Sequence, residues 1–192
     1  MNIKEQIENQ FNVCATNHCI EFYTTDFDVD DRTPSTPCYK VNAGTGEFSI
    51  ENNGNLVYFL KVDACILFGN DGQKCDLAVF TENEFVFIEL KIIEIGTKVN
   101  AKKRTSKRNN AYEQLEKTLE EFIINRGIDF SKYQNEGKFY AVAAVLDTNP
   151  PISKMPAAKT GNFNQEQKFQ QFYNAQLLLG NSYTFEFRLG IV

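Results

Sequence analysis

Asp76, Glu89 and Lys91 interrupt otherwise apolar runs within residues 74–91, KCDLAVFTENEFVFIELK. Charges in apolar strands are costly unless something compensates them. The polar run Thr81, Glu82, Asn83, Glu84 marks a tight turn between two strands. A two-residue loop at Glu82 and Asn83, or a four-residue loop closed by Phe80 and Phe85, gives one and the same register. Ala78 then meets Phe87, Asp76 meets Glu89, and Lys74 meets Lys91. Directly opposite side chains sit roughly 4.5–5.5 Å apart at Cβ, and like charges there repel. Two buried carboxylates so placed need a cation between them or a proton on one. Mg²⁺ suits such a pair, because it takes one or two protein carboxylates together with waters and phosphate oxygens. Lys91 lies two residues beyond Glu89, hence on the same face, where it can hold a phosphate oxygen or help to deprotonate a water. An isolated E-x-K is common and often only solvated; the conjunction with a facing Asp gives this one its meaning.

The strands that must position these groups read as a meander. Residues 56–68, LVYFLKVDACILF, form a long β-type run ending at the turn signal 69–73, GNDGQ. A two-residue turn at Asp71 and Gly72 pairs Leu67 with Asp76 and leaves Asp63 as a distant, low-ranked acid. Strands 74–80 and 84–91 follow. Phe85, Phe87, Glu89 and Lys91 share one face of the last strand; Val86, Ile88 and Leu90 share the other. Apolar residues on both faces mark a central strand covered on both sides.

A basic segment comes next: Lys98, Lys102, Lys103, Arg104, Lys107 and Arg108, with no acid between Lys98 and Asn110. A helix is expected over 110–125, with Asn110 and Glu113 as a capping box and Ala111, Leu115, Leu119 and Phe122 as its buried stripe. Gln114 lies on the edge of that stripe and points to the sheet. Cations at a helix N-terminus oppose the helix dipole, unless an external phosphate supplies the anion. Residues 138–147 read as a buried strand. Residues 148–163 form a loop in which Lys154 and Lys159 can add phosphate contacts. A second helix is expected over 165–179 on Phe169, Phe172, Tyr173 and Leu177, then a half-buried strand with Tyr183, Phe185, Phe187 and Leu189 inward. Towards the N-terminus, residues 2–11 read as a short helix on Ile3, Ile7 and Phe11, with Glu5 and Glu8 on its flanks. Residues 20–24 and 47–51 read as strands, and the acidic, proline-bearing stretch 26–37 as a surface loop. That loop fails as a calcium loop: Asp31 and Pro37 stand where Gly and Glu are required.

With 192 residues, the chain is expected to form one domain over 1–192. Its net charge of −5 gives no overall field for nucleic acid, so attraction must be local. Residues 1–11 lack the hydrophobic run of a secretory signal, and no stretch approaches a membrane span. The five cysteines, at 14, 19, 38, 65 and 75, are odd in number and irregularly spaced; Cys65 and Cys75, in expected strands, read as free thiols acting as small hydrophobes, and the compartment as a reducing cytoplasm. His18 is the only histidine, which removes mechanisms that need two; carboxylates and lysine are left to carry catalysis. Cys14, His18 and Cys19 lack the second ligand pair of a zinc site.

The order helix, three-strand meander with D-x₁₂-E-x-K, helix with an inward Gln, then buried strand resembles the PD-(D/E)XK nuclease superfamily. Asp76 matches the first acid, Glu89 the second, Lys91 the lysine and Gln114 the glutamine of the next helix; Cys75 stands where the motif often has Pro. The resemblance covers roughly residues 56–147 and implies an α/β, restriction-endonuclease-like fold. In that fold a central mixed β-sheet, an antiparallel meander plus further strands, is flanked by helices. It implies Mg²⁺, for which Mn²⁺ substitutes, held by Asp76, Glu89 and the Leu90 carbonyl, and hydrolysis of phosphodiester bonds in nucleic acid, with DNA as the expected substrate. A homodimer or a targeting subunit is the expected route to cutting both strands. Two other classes fit the sequence: a catalytically inactive protein on the same fold that binds nucleic acid or a protein partner, and an interaction protein whose acidic segment 26–31 meets a basic partner.

Overall fold

The computed structural model describes residues 1–31, 36–68, 74–92, 101–146 and 154–187. In chain order the elements are α1 (Ile3–Gln10), α2 (Val13–Thr16), β1 (Ile20–Tyr23), β2 (Phe27–Asp30), β3 (Tyr39–Val41), β4 (Phe48–Glu51), β5 (Val57–Lys61), β6 (Leu77–Phe80) and β7 (Phe85–Ile92). There follow α3 (Ala101–Leu119), running on into a π-helical segment (Glu120–Asn125), α4 (Ser131–Asn135), β8 (Phe139–Leu146), β9 (Ala158–Lys159), α5 (Phe163–Tyr173), β10 (Gln176–Leu179) and β11 (Ser182–Thr184).

A seven-stranded mixed sheet in the order β1-β5-β6-β7-β8-β10-β9 forms the middle layer, with β7 at its centre. The meander β5-β6-β7 is antiparallel, and β8 and β10 continue parallel to β7. The β6–β7 register is the one counted from the sequence: Ala78 faces Phe87 and Phe80 faces Phe85. Thr81 locks the turn, its hydroxyl accepting from the amides of Asn83 and Glu84 at 3.1 Å each. The two faces of β7 enter two different cores. Phe85 and Phe87 pack with Ile7, Phe11, Leu115, Leu119 and Phe122 under the helices. Val86, Ile88 and Leu90 pack with Phe27, Val29, Phe48 and Ile50 from a second, four-stranded sheet, β11-β4-β2-β3. The molecule is therefore three layers, helices on sheet on sheet, and one face of the central sheet is covered by strands where flanking helices were expected.

Several sequence expectations change. Residues 27–30, expected in a surface loop, form a strand buried at every position; its FDVD alternation outweighs the loop-like acidity. The run 56–68 stops being a strand after Lys61, and residues 62–67 turn back with Asp63 bridged to Leu67. Lys61 pairs with Leu77, so the expected pairing of Leu67 with Asp76 is overturned; residues 69–73 lie outside the described residues. Helix α3 begins at Ala101, so Asn110 is in its middle and caps nothing. The expected helix over 165–179 ends at Tyr173, because Asn174 adopts the left-handed conformation that stops a helix, and Leu177 belongs to β10. Phe172 and Phe187, expected inside, are 66% and 69% exposed. Cys19 and Cys65 form a disulfide, against the expectation of free thiols; Cys14, Cys38 and Cys75 are free and buried. Among the described residues no helix is long and apolar enough to cross a membrane.

Candidate functional site

Asp76, Glu89 and Lys91 come together where the β6–β7 ladder ends. The last paired step is Leu77 with Ile88, and Asp76 and Glu89 stand one step beyond it. Glu89 is wholly buried and Asp76 is 6% exposed. Asp76 Oδ2 accepts from the Leu90 amide at 2.6 Å. In a strand the N–H and C=O of one residue point to the same neighbour, so the Leu90 carbonyl also leaves β7 on the Asp76 side, past the end of the ladder. Lys91 Nζ forms an ion pair with Glu89 Oε1. Among the described residues neither Glu89 oxygen has a hydrogen bond of ordinary geometry.

Helix α3 fixes the backbone that carries Asp76. Gln114 Nε2 donates to the Lys74 carbonyl at 3.1 Å. One turn on, Thr118 Oγ1 accepts from the Cys75 amide at 2.7 Å and donates to the Gln114 carbonyl at 2.9 Å. Gln114 therefore reaches the site as expected, but through the main chain. The Asp76 carbonyl accepts from the amides of Val62 and Asp63 at 3.0 and 3.2 Å, so the turn after β5 clamps the other side. Lys74 does not face Lys91 in the ladder; it pairs with Asp63 at 3.3 Å.

The electrostatics follow from this burial. Burial, then the neighbouring Asp76 charge, push Glu89 well above the usual carboxylate range, against the pull of Lys91. Burial raises Asp76 to about 6, although Lys91 and the Leu90 amide pull it down. Burial also works against the Lys91 ammonium, but Glu89 and Asp76 outweigh it and hold its pKa above the ordinary value. Lys91 is thus a cation at neutral pH in the metal-free protein.

A further acid is present that the sequence reading assigned elsewhere. Burial, then Asp76 and Asp63, push Asp31 up to about 7, against Lys91. Its signal in the sequence is the period of two in Phe27, Val29, Asp31, masked there by the acids between them. Glu5 and Glu8 do not contribute. Glu5 closes a capping box with Asn2, and Glu8 pairs with Lys4 at 2.6 Å. The residues of α1 instead line a cavity of about 280 Å³ with Phe80, Thr81 and Tyr133 at the opposite end of β6. A larger cavity of about 490 Å³ lies along α5 and β10; Asp76, Glu89 and Lys91 line neither.

The basic residues Lys102, Lys103, Arg104, Lys107 and Arg108 occupy the first half of α3, where Lys102, Lys103 and Arg104 are exposed and the other two half-buried. Gln114 is already level with Lys74, so the helix start at Ala101 lies roughly 20 Å beyond it at 1.5 Å per residue. Lys98 lies outside the described residues. Lys154 pairs with Glu51 at 3.2 Å, and Lys159 is exposed on β9. Among the described residues no three His, Cys, Asp or Glu side chains are grouped to hold a metal ion by themselves.

No protein-family model, curated protein or solved structure matches the chain.

Proposed function

We propose that the protein is a metal-dependent nuclease of the PD-(D/E)XK type, with a restriction-endonuclease-like core, that hydrolyses phosphodiester bonds, DNA being the expected substrate. The observation that carries this reading is the buried pair Asp76 and Glu89 with Lys91 beside it, at the open end of the central strand. Two buried carboxylates one step past a ladder repel each other, and the Glu89 oxygens are short of hydrogen bonds. A divalent cation fits that donor set: Asp76 and Glu89 would hold it with the Leu90 carbonyl, waters completing the shell. When bound, Mg²⁺ or Mn²⁺ supplies charge stabilisation to the phosphate and makes water a better nucleophile.

The chain's own groups divide the remaining work. In the hydrolysis a water oxygen forms a bond to phosphorus and releases a proton to solvent, and the P–O ester bond breaks, the leaving oxygen taking a proton from solvent. Lys91, charged and on the Glu89 face, donates to a non-bridging phosphate oxygen, where negative charge must be held. Gln114 and Thr118 keep residues 74–76 in place. The exposed half of α3 tracks the phosphate backbone, and three of its cations fall in the first turn, where the helix dipole disfavours them unless a phosphate lies close by. Cleavage of single-stranded, double-stranded and branched DNA and of RNA, assayed with Mg²⁺ and with Mn²⁺, tests the reading. Activity on at least one substrate is expected, lost in Asp76→Ala, Glu89→Ala and Lys91→Ala.

A second reading is a nuclease-fold protein that binds nucleic acid without cutting it. It is favoured by the Lys91–Glu89 ion pair, which already compensates one of the two carboxylates. Salt-sensitive binding with no cleavage across the whole panel would select it.

A further inference from the structure

We infer that Asp31, delivered by the second sheet, is an outer carboxylate of the cation site, accepting hydrogen bonds from waters on an ion held by Asp76 and Glu89. The inference rests on the metal-dependent reading above and adds to it a residue from outside the meander.

Placement carries the argument. Strand β2 points Phe27 and Val29 into the core between the sheets, against Leu77, Ile88 and Leu90. The strand period of two puts Asp31 on that same face, one step past Val29. Strand β3 runs antiparallel to β2 with Asp30 opposite Tyr39 as the last pair, so Asp31 and Cys38 leave the two strands at the same end, and the Asp31 charge reaches the Cys38 thiol. The Cys38 thiol in turn donates to the Asp76 carbonyl at 3.5 Å. Asp31 is therefore one side-chain step from the backbone that carries Asp76, and its charge is felt by Asp76, Glu89 and Lys91 alike. The other two acids of this stretch are placed differently. Asp28 accepts from the amides of Gly44 and Gly46 at 2.7 and 3.0 Å, and Asp30 alternates to the opposite face. The Asp31 amide donates to Glu47 Oε2 at 3.1 Å, which anchors its main chain, and its carboxylate lies near enough to Asp76 and Asp63 to be raised by their charge.

Support for a ligand comes from Glu89, wholly buried and partnered only by the Lys91 ammonium and the Asp76 carboxylate, with no other hydrogen bond among the described residues. Because no three acids there are grouped around one point, Asp31 acts through water. That suits Mg²⁺, which gives up its waters reluctantly, and outer partners of this kind typically change metal affinity 10–100-fold.

Isothermal titration of the metal-free protein with Mn²⁺ tests this, on the wild type, Asp31→Asn and Asp31→Ser, with the unfolding midpoint of each metal-free protein measured alongside. The wild type is expected to bind, and Asp31→Asn to bind about tenfold or more weakly while its metal-free midpoint is unchanged or higher; Asp31→Ser serves the same purpose if the Asn variant misfolds. Wild-type binding with undiminished affinity in both variants overturns the role of Asp31 and leaves the two-carboxylate site standing. Weaker binding that appears only together with a lowered metal-free midpoint overturns it too, as a structural effect. Failure of the wild type itself to bind Mn²⁺ sinks the metal-dependent reading, and this inference with it.

Discussion

On the proposed nuclease reading, Glu89 is the residue whose removal is most informative, because it is wholly buried and its charge has few partners. Glu89→Gln is expected to lower cleavage by at least about a hundredfold, the usual cost of removing one charge-stabilising group from an active site. Its metal-free unfolding midpoint is expected to change little, because relief of the repulsion with Asp76 is offset by loss of the Lys91 ion pair. The same electrostatics set a pH dependence. Asp76 is raised to about 6 and Asp31 to about 7, both above the unfolded value near 3.9. The folded state therefore binds more protons than the unfolded state between these limits, and stability falls as pH rises through them. Urea titrations of the metal-free protein should give their highest midpoint near pH 4, falling through pH 7 and continuing to fall above it, because Glu89 is raised further still. A midpoint that climbs across that window would mean these acids are stabilised as anions. At this scale the sequence was informative for Asp76, Glu89 and Lys91, because a charge inside an apolar run is conspicuous. Asp31 was not legible: its burial depends on a second sheet, and acids at 28 and 30 disguise the alternation that points it inward.

Helix α3 positions the backbone that carries Asp76, and in the proposed function its basic half meets the phosphates. Its C-terminal half carries the buried stripe Ala111, Leu115 and Leu119, and from the edge of that stripe Gln114 and Thr118 hold the backbone of Lys74 and Cys75. Thr118 is fully buried and is the acceptor for the Cys75 amide. Thr118→Val keeps the shape and removes the acceptor. It should cost about 1–3 kcal/mol, the penalty for an unsatisfied buried donor, read from denaturant midpoints, with a larger fractional loss in cleavage because Asp76 is the next residue. Thr118→Ser is expected to restore both, and equal losses in the two variants would argue against the hydrogen bond as the cause. The stripe and the inward Gln114 were legible from spacing. The helix start was not, because a basic segment with an Asn-rich end reads as loop and cap, whereas the helix continues through it from Ala101. The stop at Tyr173 was missed for the opposite reason. The apolar Leu177 kept the helical period going, while Asn174 supplied the turn that ends it.

At the scale of the whole molecule, the meander and the parallel strand β8 could be read because their contacts are sequential or joined by one crossover. Of the second sheet, strands β4 and β11 were read as strands, but β2, β3 and the pairing that makes them one sheet were not. Its strands are three or four residues long, and β11 pairs with β4 from the other end of the chain, so local pattern carries little of it. That sheet covers the face of the central layer opposite the helices and leaves α3 as the described element that carries the basic stretch past the site. The net charge of −5 opposes approach of a polyanion, so the proposed binding of nucleic acid calls for local cations, and those of α3 are the candidates. Duplex DNA binding is then expected to weaken linearly in log–log form with salt, by about 0.9 per phosphate neutralised. The triple variant Lys102→Ala, Lys103→Ala, Lys107→Ala should flatten that slope by about two or more, measured by fluorescence anisotropy between 50 and 200 mM KCl in a Glu89→Gln background that prevents cutting. In the cleavage-competent protein the same three substitutions should leave Mn²⁺ affinity unchanged, because the helix half lies beyond the carboxylates. A slope equal to that of the parent would place the phosphate track elsewhere, with exposed Lys159 on β9 the next residue to remove.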